Sequence, residues 1–313
     1  MAYQDLTIID FHSHFPVHEP MFEAHRQRLV AEVGERRFQL QREQAAHYNR
    51  EWRLAWDFPA PETEKHTPEE QAHRWKAELD KYGIDRIVWV TGGGNEALAR
   101  TCALYPDRFI GFAHHDPFGP DAADEMERCI HEYGFRGYKT LGPNLDRPIT
   151  DRAAYPLWEV CAAYNVPVLI HFGIQGSGGG IANHVNINPL ILHDVAKAFP
   201  EVNFVVPHFG CGYITDMLML CWACANVHID TSGSNQWVRW VWGDVTVQGL
   251  FRKYLETIGP TRILFGTDSS WFPRGFAVRY LQDQLRDLRD LNVPQTTLEL
   301  IFSGNARRLL HLD

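Results

Sequence analysis

The sequence predicts an α/β fold, a (β/α)8 TIM barrel with a helical insertion after its first strand. Three observations carry this. Eight short apolar runs alternate with stretches of helical composition, the pattern of βαβ units and a parallel sheet. The 313 residues are enough for a barrel, which typically takes about 250, with an insertion added. An open dinucleotide-binding sheet would carry a glycine fingerprint after its first strand. Here Gly92-Gly93-Gly94 and Gly176-Ser177-Gly178-Gly179-Gly180 lack both the G-x-G-x-x-G spacing and a P-loop lysine. The chain, 1–313, reads as a single domain interrupted at about 15–67.

The first strand opens with Leu6-Thr7-Ile8-Ile9 and runs into Asp10-Phe11-His12-Ser13-His14. The insertion follows. Its middle, 21–56, is rich in Arg, Glu and Gln and helical in composition; it is a candidate lid or subunit contact, or else a solvated decoration. Thr67, Pro68 and Glu70 spell a helix N-terminus, and Gly83 stops that helix after Lys81. Strands are then expected at 86–91, 109–114, 135–140, 167–172, 202–208, 227–230 and 262–267. Helices are expected at 95–105, 121–133, 151–164, 189–199, 215–225 and 277–291, with a last helical stretch reaching Leu312.

Composition excludes several classes. A net charge of −9 argues against a nucleic-acid partner, which needs a basic face. No apolar stretch approaches the ~18 residues of a membrane span, and no basic-then-apolar leader opens the chain, so a cytoplasmic location is expected. Cys221-Trp222-Ala223-Cys224 has C-x-x-C spacing but sits in an apolar helical run without a second pair. All six cysteines therefore read as reduced core residues.

In a barrel, chemistry gathers at the C-terminal ends of the strands. There the sequence places His12 and His14, Lys139, His171, His208, Asp230 and Asp268. Two imidazoles two residues apart can grip one metal ion from one side, and zinc accepts neutral imidazole nitrogen readily. Single residues have plainer readings: Asp230 holding the turn Asp230-Thr231-Ser232-Gly233, Lys139 pairing with a carboxylate or reaching solvent. His171, His208 and Asp268, added to His12 and His14, form a convergent set.

Asp10-Phe11-His12-Ser13-His14, Pro207-His208-Phe209-Gly210 and Ile263-Leu264-Phe265-Gly266-Thr267-Asp268, with the lone His171 between them, resemble the amidohydrolase superfamily, in particular the branch that includes aminocarboxymuconate-semialdehyde decarboxylase. Tyr105-Pro106-Asp107-Arg108-Phe109, Gly134-Phe135-Arg136-Gly137-Tyr138-Lys139 and Asn305-Ala306-Arg307-Arg308 extend the likeness over nearly the whole chain except the insertion. The resemblance implies one divalent metal ion, usually zinc, with manganese or iron as alternatives, held by His12, His14, His171 and Asp268. It implies His208 as the acid/base beside a metal-bound water. Relatives with two metals bridge them through a lysine at the position of Lys139; this branch is normally mononuclear, which leaves Lys139 as a substrate contact. Cys211 stands where this branch often has glycine.

Such an ion would lower the pKa of its water toward ~7 and polarise a substrate oxygen. Asp268 can accept a proton, and His208 can stabilise developing charge or pass a proton on. Trp237, Trp240, Trp242 and Trp271 offer an aromatic pocket wall or an interface, and Arg239 or Arg274 could hold a substrate carboxylate. The expected activity is hydrolysis of a small organic substrate. A non-oxidative decarboxylase of an aromatic or unsaturated acid stands second, and a catalytically inactive binding barrel third. The insertion makes a homodimer an expectation as well.

Overall fold

The computed structural model describes residues 3, 5–55, 57–174, 184–233, 237–238 and 241–312. Among the described residues nine strand segments run in parallel: β1 Ile9–His14, β2 Arg86–Thr91, β3 Phe109–Gly111, β4 Ala113–His114, β5 Tyr138–Leu141, β6 Val168–His171, β7 Phe204–Val206, β8 Val227–Asp230 and β9 Ile263–Leu264. β3 and β4 are the two halves of one expected strand, parted at Phe112, so the nine segments make eight staves. They pair in the order β1-β2-β3 and β4 through β9. Phe112 N donates to Trp89 O (3.0 Å) and Ala113 N to Gly137 O (2.8 Å), which carries the ladder across the break.

The barrel closes between its first and last staves. Phe11 N donates to Phe265 O (3.0 Å), Asp268 N to His12 O (2.8 Å) and His14 N to Ser269 O (2.8 Å). The register of β1 against β2 shifts between Asp10 and Ser13 and again before His14, so plain alternation of faces does not hold through the motif. Asp10 is accordingly a structural tie. Its carboxylate accepts from His12 N (3.1 Å), Ser13 Oγ (2.9 Å), Thr267 N (3.0 Å) and Thr267 Oγ1 (2.5 Å).

A small apolar cluster takes residues from successive staves, among them Ile9 and Phe11, Val88 and Val90, Phe112, Leu169, Val205 and Leu264. This is the filled interior of a barrel. The alternate residues Ile8, Ile87, Trp89, Tyr138, Val168 and Ile170 belong to the larger cluster against the helices.

Helices α1 Pro20–Val33 and α2 Glu35–Ala55 form the insertion, broken at Gly34 (φ +82°) where one continuous helical segment was expected. α3 Pro68–Tyr82 has the predicted start and stop: Thr67 Oγ1 accepts from Glu70 N, the Glu70 side chain accepts from Thr67 N, and Gly83 is left-handed. α4 Asn95–Leu104, α5 Ala122–His131, α6 Tyr155–Ala163, α7 His193–Ala198, α8 Ile214–Ala223, α9 Val247–Ile258, α10 Val278–Asp290, α11 Gln295–Glu299 and α12 Asn305–Leu309 follow among the described residues. Among the described residues no helix is long and apolar enough to cross a membrane. The six cysteines are buried, and none is disulfide-bonded.

Candidate metal centre

The site begins at the C-terminal end of β1. His12, His14 and Asp268 bring one donor atom each to within 4.8 Å of one another. His14 Nε2 lies 3.3 Å from Asp268 Oδ1, and His12 Nε2 3.9 Å from the same oxygen. Each imidazole is fixed by its other nitrogen. His12 Nδ1–H donates to Asp230 Oδ2 (2.8 Å), and His14 Nδ1 is hydrogen-bonded to the Thr91 hydroxyl (2.7 Å). A carboxylate behind a histidine sets its tautomer and raises its basicity as a ligand. It leaves the lone pair on His12 Nε2, which is buried and has no hydrogen-bond partner. Burial lowers the His12 pKa to about 4 despite the pull of Asp230, so the ring is neutral at pH 7.

Asp268 reaches this point through strained backbone. Its φ of +60° lies in the left-handed region that non-glycine residues rarely adopt. Two bonds hold it there: its N–H on His12 O, and its own carbonyl accepting from Arg274 Nη2 (2.6 Å). Burial alone would raise the Asp268 pKa. The hydrogen bond to His14 and the neighbouring His208, His14 and His12 outweigh it and hold the carboxyl well below the usual range. Gly266 lets the last stave come close: a Cβ there would meet His12 Cβ at 3.0 Å and Ser232 Cβ at 3.1 Å.

His208 follows β7 in a tight turn, its φ +59°, rather than ending the strand. Its Nδ1–H donates to Ser232 O (2.6 Å), which leaves Nε2 to take or give a proton. Its ring stacks on His12 at 5.3 Å between centroids and meets His171 edge-on at 5.1 Å. Ser232 Oγ donates to Asp230 Oδ1 (2.5 Å) and lies 2.9 Å from His208 Nδ1 and 3.1 Å from His12 Nδ1. Asp230 is therefore the hub that orients His12 and, through Ser232, His208. The sequence pointed only to its turn; the signal was an acidic residue closing an otherwise apolar strand. Thr91 carried no signal.

His171 stands at the end of β6 beside His208, outside the group formed by His12, His14 and Asp268. Its Nε2 is engaged with Ile174 O (3.2 Å), so Nδ1 is the atom left to face a ligand. Burial first, then His208 and Lys139, depress its pKa and keep it neutral. The donor set thus has the makings of a divalent-cation site: neutral imidazoles, one ionised carboxylate and an orphaned buried nitrogen.

Lys139, fully buried on β5, has an amine without a partner. Burial lowers its pKa to about 7, while Asp230 and Asp268 pull the other way. In the unfolded chain the amine keeps its proton to about pH 10.4. Between these values the unfolded state binds one more proton, and stability rises with pH. Urea unfolding in chelator is expected to show wild type gaining on Lys139→Met from pH 7 to 9.5. A constant difference between them would mean the amine stays charged in the fold.

The remaining substrate candidates are placed differently from expectation. Arg274 stacks on Trp271 at 3.8 Å and on Phe58 of the insertion at 5.1 Å. With its Nη2 on Asp268 O, it braces the Asp268 loop. Trp271 packs against Trp52 and Phe58. Trp242 is 97 % exposed, while Trp237 is buried in the core. Arg239 and Trp240 lie outside the described residues.

The sequence model of the amidohydrolase family matches residues 9–312. A 2-keto-4-carboxy-3-hexenedioate hydratase from a Sphingobium species is 27% identical over 248 residues, 69% of this chain and 69% of that protein. A gamma-resorcylate decarboxylase from Rhizobium radiobacter is 26% identical over 281 residues, 73% of this chain and 78% of that protein. The fold is shared with 5-carboxyvanillate decarboxylase from Novosphingobium aromaticivorans, solved with manganese and 4-hydroxy-3-methoxy-5-nitrobenzoic acid: TM-score 0.67, 16% identity, 100% of this chain and 98% of that one.

Proposed function

The chain belongs to the amidohydrolase family, and from that membership we propose that it is a metal-dependent non-oxidative decarboxylase of an aromatic or unsaturated carboxylic acid. This reverses the order expected from sequence, where hydrolysis stood first. The observation that carries it is the alignment with a gamma-resorcylate decarboxylase over most of both chains. The residues alone serve either reaction, because both need a polarised oxygen and a positioned acid/base.

In this reading His12, His14, His171 and Asp268 hold one divalent cation. When bound, the ion supplies Lewis acidity toward the substrate's oxygens and fixes their position. The carbon–carbon bond to the carboxylate breaks, CO2 leaves, and the electron pair stays on the substrate carbon, which takes a proton in place of the carboxyl group. Asp268, ionised and 26% exposed at its side chain, receives a substrate proton. His208 delivers a proton through Nε2, its ring held by the carbonyl of Ser232. Lys139 supplies positive charge near Asp230 and Asp268 whenever it is protonated. Hydration is the second reading, favoured by the likeness to a hydratase.

The test is a screen of carboxyl-labelled aromatic and unsaturated acids with protein loaded with manganese or zinc, run in oxygen-18 water. Labelled CO2 without oxygen-18 in the organic product is the expected result. Oxygen-18 in the product without CO2 would replace decarboxylation by hydration or hydrolysis. Metal content in the same preparations is expected near one ion per chain and lost in His12→Ala.

A further inference from the structure

The insertion is mostly surface along its helices: of the residues of α2, only Phe38 and Trp52 are buried. Its end is different. Trp52 and Phe58 pack against Trp271, with ring centroids 5.8 and 6.2 Å away, and Glu62 N donates to Phe272 O (2.9 Å). Arg74 of α3 fastens the same two segments. It donates to both oxygens of Glu62 at 2.6 and 2.7 Å and lies 3.9 Å over the Phe272 ring. The end of the insertion is thus stitched at several points to the loop that begins at Asp268.

Arg274 is where this packing meets the metal centre. Its guanidinium lies 3.8 Å from the centre of the Trp271 ring and 5.1 Å from that of Phe58, while its Nη2 donates to Asp268 O (2.6 Å). Its Nε is buried and makes no hydrogen bond, so the aromatic faces fix the plane of the guanidinium. A non-glycine residue at φ +60° persists in that state only where its surroundings hold it. Two backbone bonds hold Asp268. The one from its N–H to His12 O belongs to barrel closure, and the one from Arg274 to its carbonyl is supported by the insertion. Release of the second frees the peptide to rotate and carries the carboxylate away from His12 Nε2 and His14 Nε2.

We propose that Phe58 of the insertion is a positioning residue for Asp268: by packing on Arg274 it keeps Nη2 on the Asp268 carbonyl, and so keeps the carboxylate at His12 and His14. The end of the insertion is then the buttress of the Asp268 loop. This rests on the reading of His12, His14 and Asp268 as holders of one divalent cation.

The test pairs two measurements on the full chain. The first is amide hydrogen exchange in chelator, resolved by residue. In Phe58→Ala the Asp268 amide is expected to exchange about tenfold faster than in wild type, as a local opening. The Phe265 amide, bonded to Ile301 O in the same stave, is expected to keep its rate. The second is the manganese dissociation constant, by competition with a fluorescent chelator. It is expected to rise about tenfold in Phe58→Ala and about 10- to 100-fold in Arg274→Met, the range for losing a supporting partner. Phe58→Tyr keeps the ring face and is expected to stay within about twofold of wild type in both. An unchanged Asp268 exchange rate in Phe58→Ala would overturn the brace. Faster exchange with unchanged manganese affinity would make Phe58 a packing residue alone and overturn its positioning role. Should Arg274→Met fail to fold, the two Phe58 variants decide. Wild type that binds neither manganese nor zinc would remove the metal-centre reading and the proposal with it. That result is distinct from failure of the brace, which is read without metal.

Discussion

Asp268→Asn is expected to lower kcat by about 10²- to 10⁴-fold, the range for removing a positioned acid/base, and to weaken metal binding as well. The substitution keeps size and shape, so the backbone bonds to His12 and Arg274 can persist. What it removes is the negative charge, which lies within 4 Å of both His12 Nε2 and His14 Nε2. With the substrate identified by CO2 release, stopped assays at saturating metal separate the two losses. A deficit that vanishes at high metal would leave Asp268 a ligand only. A variant with more than about a third of wild-type turnover at every metal concentration would remove it from the chemistry, since a positioned base contributes at least about 10²-fold.

Asp230→Asn is the second large effect, because Asp230 holds His12, His208 and Ser232 together. Its carboxylate holds His12 Nδ1–H and accepts from Ser232 Oγ, Ser232 N and His208 N. An amide there no longer enforces the His12 tautomer with its lone pair on Nε2. Loss of such a supporting partner typically costs about 10- to 100-fold in metal affinity or activity. Competition against a fluorescent chelator should show the manganese dissociation constant rising by that factor. Urea unfolding in chelator should show the metal-free variant within about 3 kcal/mol of wild type, as befits a change confined to a buried hydrogen-bond network. A manganese affinity unchanged in a folded variant would mean that Asp230 holds the turn and nothing more.

The strand-end residues of the candidate site were legible because barrel geometry converts a linear pattern into a place. Once eight βα repeats are counted, His12, His14, His171, His208 and Asp268 must face one mouth. The supporting residues were less legible for a physical reason. Asp230, Thr91 and Ser232 act through hydrogen bonds between staves far apart in sequence, and one acid or hydroxyl in a strand looks like any other. Arg274 was ambiguous because a basic residue in a site loop suits a carboxylate as well as it suits an aromatic clamp. Only the tertiary structure shows the packing of Phe58 and Trp271 around it. His208 was expected at a strand end and lies in a left-handed turn past it, a backbone state that local composition does not encode.

By itself the sequence determined the barrel, its insertion, the family and the residues at the strand ends. Those follow from local periodicity and motif spacing, which the chain carries in short windows. Tertiary structure alone decided which nitrogen of His12 carries the proton and what holds Asp268 in its left-handed turn. It also decided that the end of the insertion packs on the loop that begins at Asp268. Each of these depends on contacts between segments up to 257 residues apart, as in the bond from Thr267 to Asp10 that ties the first stave to the last. Such contacts exist only once the barrel has closed.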